Sequence, residues 1–135
     1  MGMFYSYEDY LSNIKTISIE EMHALHKEIL MEIQADDGAK EIYEELLATV
    51  NRYASIRAEW PLLGREEKME KDSGRTSCHN SVITHLNMLA RYLRRQGEDA
   101  EWREKLGYEE DDKYNRKKIG DFACYLAFVN GINSR

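Results

Sequence analysis

Apolar residues recur at three- and four-residue spacing along most of this chain, which is the period of a helix lying against a core. Ile19, Met22, Leu25, His26, Ile29, Leu30 and Ile33 make the first clear stripe. Ser18 precedes it, with Glu21 three residues on, the signature of a capping box. Ile42, Leu46, Val50, Tyr53 and Ala54 mark a helix from about residue 39 to Trp60, where Pro61 disfavours helical geometry. The strongest stripe is Val82, Ile83, Leu86, Leu89, Ala90 and Leu93, predicting a helix over 75–96 with Gly97 as its left-handed cap. Asp99 is placed to cap a short segment bearing Trp102 and Leu106, closed by Gly107. A last helix over 112–129 presents Ile119, Phe122, Ala123 and Leu126. Ahead of them all, Ser6 and Asp9 suit the start of a short helix with Tyr7, Tyr10, Leu11 and Ile14.

Residues 62–73 carry no such stripe. Leu62-Leu63-Gly64 reads as a turn, residues 65–71 as a helical turn or charged loop, and Ser73-Gly74 as a break. No alternating run or Asn-Gly hairpin signal predicts a strand. The expected fold is all-α: one domain over 1–135, a compact helical bundle of four long helices plus one or two short ones.

Composition agrees and narrows the function. The chain has 135 residues, 33% of them charged and 42% apolar, with a single proline. The formal net charge of −6 argues against general attraction to nucleic acid or anionic membranes. That charge is uneven: residues 1–64 hold 12 acidic against 5 basic side chains, and residues 65–135 hold 13 against 14. The basic groups Arg91, Arg94, Arg95 and Arg116, Lys117, Lys118 match no nucleic-acid-binding motif, so nucleic acid is not an expected partner. The longest uncharged stretch, 122–134, is too short to cross a bilayer. Two cysteines outside any CxxC pair suit buried thiols in a cytoplasmic protein. The start lacks a secretory signal, though Gly2 and Ser6 spell the minimal myristoylation pattern.

Against this background, several polar side chains fall on faces that should be apolar. With His79 as origin, Leu86, Ala90, Leu93 and Ile83 all lie within about 40° of it around the helix. Asp72 and Arg75 share that stripe if the helix continues backward. His26 and Arg57 fall among apolar neighbours on their own helices, and Arg116 lies near the stripe of the last one. A polar pocket at one end of the bundle, lined by His26, Arg57, Asp72, Arg75, His79 and Arg116, is one expectation. Arginines beside a His and an Asp suit a small phosphate- or carboxylate-bearing ligand. The alternative is a buried network that bridges helices and fixes their register.

Metal chemistry has weaker support. Glu20 and His23 give E-x-x-H, but on the polar face, and the partner ligands of a di-iron site are missing. His26, His79 and Asp72 have the chemistry of zinc ligands with nothing to fix their geometry. No phosphate loop, nucleophile elbow or Cys/His catalytic signature occurs, and no cofactor is implied. The leading expectation is an interaction or regulatory module, with Tyr and Trp suited to self-association. The enzymatic alternative is a phosphoester or nucleotide hydrolase using Asp72 and His79, with or without a metal. His79-Asn80 resembles the paired His-Asp of the HD hydrolases, with Asn in place of the acid.

The run Asp72-Ser73-Gly74-Arg75-Thr76-x-x-His79-Asn80-x-x-Ile83, with Arg116-x-x-Ile119-Gly120-Asp121-Phe122-Ala123, carries a further resemblance. It is similar to a small all-helical family, a domain of unknown function of Gram-positive bacteria and their mobile elements. The resemblance covers the C-terminal half and implies a bacterial cytosolic protein without implying an activity.

Overall fold

The computed structural model describes residues 16–107 and 113–130. The helix expected over 6–14 and the Gly2 pattern lie outside them. Among the described residues there are five α-helices and no strand, as the periodicity predicts.

Helix α1 spans Ile19–Ile33 and starts on the expected capping box. The Ser18 hydroxyl accepts from the Glu21 N–H at 3.1 Å, and the Glu21 carboxylate accepts from the Ser18 N–H at 3.2 Å. Those Ser18 hydrogen bonds hold the Glu21 carboxyl below its ordinary range. Helix α2 spans Asp37–Glu59, with Asp36 capping through the Ala39 N–H at 3.1 Å. A 3₁₀ turn at Trp60–Leu62, containing the proline, reverses the chain.

Helix α3 spans Arg65–Arg95, ten residues longer at its start than the stripe indicates. Ser73-Gly74 does not break it. Residues 65–71 are strong helix formers, and one glycine costs only about 1 kcal/mol against alanine. The Glu67 carboxylate accepts from the Gly64 N–H at 2.9 Å, which closes the new N-terminus. At the other end the expected glycine cap is present: Gly97 has φ 95°, and the Glu98 N–H reaches the Leu93 carbonyl at 3.0 Å.

Helix α4 is the short Glu101–Lys105 segment, and α5 spans Lys113–Val129. Asp99 does not cap α4. The N-cap position is Ala100, in the left-handed region at φ 49°, and α1 supplies the acceptor: Glu32 takes the Ala100 N–H at 3.1 Å. No side chain caps the first turn of α4; a carboxylate from a neighbouring helix anchors its N-cap residue instead.

Long-range contacts fix the arrangement. Asp36 meets Tyr92 and Tyr53 meets His79, so α2 and α3 run antiparallel. Thr16 meets Asp121 and His23 lies by Tyr125, so α1 and α5 run in the same direction. The core lies between them, built from Met22, Ile29, Leu46, Leu86, Leu93, Trp102, Phe122 and Leu126. The first part of α3, Arg65 to Ser81, contains no fully buried residue. Up to Arg75 it lies beside the end of α2 as one arm of a hairpin, with Met69 74% exposed and Leu62 of the connecting turn 61% exposed. No described helix is long and apolar enough to cross a membrane.

Candidate functional site

The polar centre of the fold is Asp121, at the middle of α5 and 2% exposed. It is the one charged residue in the run 119–129. Its Oδ1 accepts from Arg57 Nη2 at 2.9 Å, and its Oδ2 accepts from the Thr16 hydroxyl at 2.8 Å. Arg57 Nη1 also donates to the Tyr53 hydroxyl at 3.2 Å. Tyr53 in turn stacks on the His79 ring, with centroids 5.2 Å apart and planes 17° from parallel. Four segments thus converge: the entry to α1, the end of α2, the middle of α3 and the middle of α5. Burial pushes the Tyr53 phenol up, against the opposing pull of the Arg57 charge.

Gly120 makes this approach possible. A Cβ there would lie 2.6 Å from the Tyr53 hydroxyl and 3.1 Å from Arg57 Nη1. With only hydrogen at that point, α2's polar groups come down onto the α5 backbone.

The residues expected to line one pocket fall into separate groups. Arg57 and His79 share Tyr53, as just described. Asp72 and Arg75 pair with each other at 3.0 Å on the first part of α3, both substantially exposed. The Arg75 guanidinium lies 4.1 Å over the Trp60 ring, a cation–π contact that fastens the arm to the end of α2. His26 sits near the other end, its Nε2 3.1 Å from the Tyr43 hydroxyl and its ring edge-on to Tyr125. Tyr43 and Tyr53 are separated by about 15 Å along α2. Arg116 lies in α5, outside the residues whose side chains are described.

His26, His79 and Asp72, the candidate zinc ligands, therefore occupy three places with three different partners. Among the described residues no three His, Cys, Asp or Glu side chains come together to hold a metal. No protein-family model, curated protein or solved structure matches the chain. Function has to be read from the geometry.

Sequence reasoning missed three members of the central network: Asp121, Tyr53 and Thr16. A lone Asp inside an apolar helix was the available signal for Asp121. It also missed Arg103, which is fully buried. Its Nε donates to Asn87 Oδ1 at 2.6 Å and its Nη1 to the Gly107 carbonyl at 2.8 Å. Arg103 lies in a five-residue helix, too short for any periodicity to mark its inward side.

Proposed function

We propose that this protein is a cytosolic interaction or regulatory module, in which the unusual polar side chains tie helices together. The observation that carries this reading is the state of Asp121. Both of its oxygens are engaged, by Arg57 and by Thr16, in a position almost closed to solvent. A carboxylate so occupied orients helices; it is poorly placed to receive a ligand or activate water. Asp72 and His79, the pair a hydrolase would use, are likewise committed to separate partners, Arg75 and Tyr53. Neither cysteine is in a disulfide, Cys124 being buried and Cys78 half-buried, which supports a reducing compartment.

Titration with inorganic phosphate, followed by thermal unfolding of wild type and Arg57→Met, tests the reading. Wild type should be indifferent to phosphate beyond its general salt effect, and the variant should melt lower at every phosphate concentration. A saturable rise in the wild-type Tm that Arg57→Met abolishes would overturn the reading and establish an anion pocket instead.

A further inference from the structure

The outer face of α2 and α3, turned away from α1 and α5, holds a shallow groove of about 180 Å³ lined by Ile42, Met88, Arg91, Tyr92 and Arg95. Its floor is apolar: Met88 is 39% exposed, while Ile42 and Tyr92 are half-buried against the core. Tyr92 is held in place by its hydroxyl, which donates to Asp36 at 2.7 Å. The two rims differ in sign. Arg91 and Arg95 are exposed along α3. On α2 the exposed Glu41 and Glu45 stand about 60–100° to the solvent side of Ile42, away from the core-facing Ala39 and Leu46.

We propose that this groove is the interface of a two-fold homodimer, in which the acidic rim of each copy (Glu41, Glu45) lies over the basic rim of the other (Arg91, Arg95), with Glu41 nearest Arg91. The charge pattern selects both the occupant and the axis. A two-fold axis running along the groove lays α2 of one copy over α3 of the second, so each acidic rim meets a basic one. An axis across the groove would stack α2 on α2 and α3 on α3, placing like charges together. The surface is its own complement in the first arrangement, as an isologous contact requires. Ile42 of each copy then meets Met88 of the other at the centre, where apolar groups contribute most. Size is also adequate. The 23 residues of α2 run about 34 Å. With α3 about 9 Å beside it and each helix about 10 Å across, the two present a strip of roughly 650 Å² per copy, near the lower end of the ~600–1,000 Å² per partner of standard interfaces.

This inference rests on the interaction-module reading and names its partner. Sedimentation equilibrium of the full chain tests it, using wild type, Arg91→Glu/Arg95→Glu, Glu41→Arg/Glu45→Arg and an equimolar mixture of the two variants. All four substituted residues are exposed, so helical content should match wild type by circular dichroism. Wild type should dimerise with an affinity that falls as salt rises. Each variant alone should associate at least about tenfold more weakly, because its rims now carry one sign. The mixture should recover dimer, since one chain is then acidic on both rims and the other basic on both. A wild type that stays monomeric at every concentration, variants that dimerise as well as wild type, or a mixture that does not recover, each overturns the proposal. None of these outcomes touches the module reading itself, which the phosphate titration decides separately.

Discussion

Arg57 and Asp121, 64 positions apart in sequence, form a 2.9 Å ion pair in which the acid is almost fully buried and the base is not. The side chains are 2% and 27% exposed, so the two halves of the pair are not equivalent. Removing the arginine strands a buried carboxylate with only the Thr16 hydroxyl; removing the acid leaves a guanidinium that reaches water. Arg57→Met should therefore cost about 3 kcal/mol or more, and Asp121→Asn less, about 1–2 kcal/mol. Urea unfolding of the two variants measures the difference. Equal losses would show that solvent reaches Asp121 as readily as Arg57.

Gly120 and Gly74 are both helical glycines, and alanine should act on them with opposite sign. Nothing lies within 4 Å of a Cβ at Gly74, which is exposed, so Gly74→Ala should stabilise by roughly 0.5–1 kcal/mol. At Gly120 the same methyl meets the Tyr53 hydroxyl, and that ring is held by His79 and by burial. Gly120→Ala should destabilise, and Tyr53→Phe in the same chain should recover part of the loss by removing the clashing oxygen. Thermal melts of the four chains decide it.

What was legible beforehand follows from which forces act locally. The stripes of α1, α2 and α5 and the caps at Ser18 and Gly97 depend on neighbours a few residues away, so sequence carries them. The start of α3 was missed because its first turns bury nothing and so show no stripe. That segment is held by the end of α2 instead, through Arg75 over Trp60 and a Lys71–Glu59 pair at 3.7 Å. Arg57 and His79 could be flagged as misfits on apolar faces. Their meeting through Tyr53, and the distance of His26 from both, depend on how helices stack. The anchor of α4 shows the same limit, since Glu32, which accepts the Ala100 N–H, is 68 residues away.

Stability should fall as pH drops through the histidine range, and His26 should account for part of it. Burial holds its imidazole below the ordinary value of 6.5, with the nearby His23 charge acting in the same direction. The unfolded chain then takes the proton more readily than the folded one. The contribution is present above pH 6.5 and is lost as pH falls below it. The depressed carboxyls of Glu21 and Asp36 act lower, below their ordinary values of 4.5 and 3.8. Denaturant midpoints between about pH 7 and pH 5.5 therefore isolate the histidines. His26→Gln should flatten that part of the profile, and a slope identical to wild type would remove His26 as its source.

Glu32 holds α4 against α1 with both carboxylate oxygens. Oε2 accepts the Ala100 N–H at 3.1 Å and Oε1 accepts the Trp102 indole N–H at 2.8 Å. Both donors belong to fully buried residues, so a lost acceptor is not replaced by water. Glu32→Gln keeps the shape of the side chain but turns one acceptor into a donor, so one N–H is left facing an NH₂ group. The expected cost is about 1–3 kcal/mol. If the geometry is responsible, Trp102→Phe should cost less in the Gln background than in wild type, because the amide oxygen is then free to turn to Ala100. A double-mutant cycle in urea reads this coupling directly. Strict additivity would mean that Glu32 supports α4 through packing and not through its two hydrogen bonds.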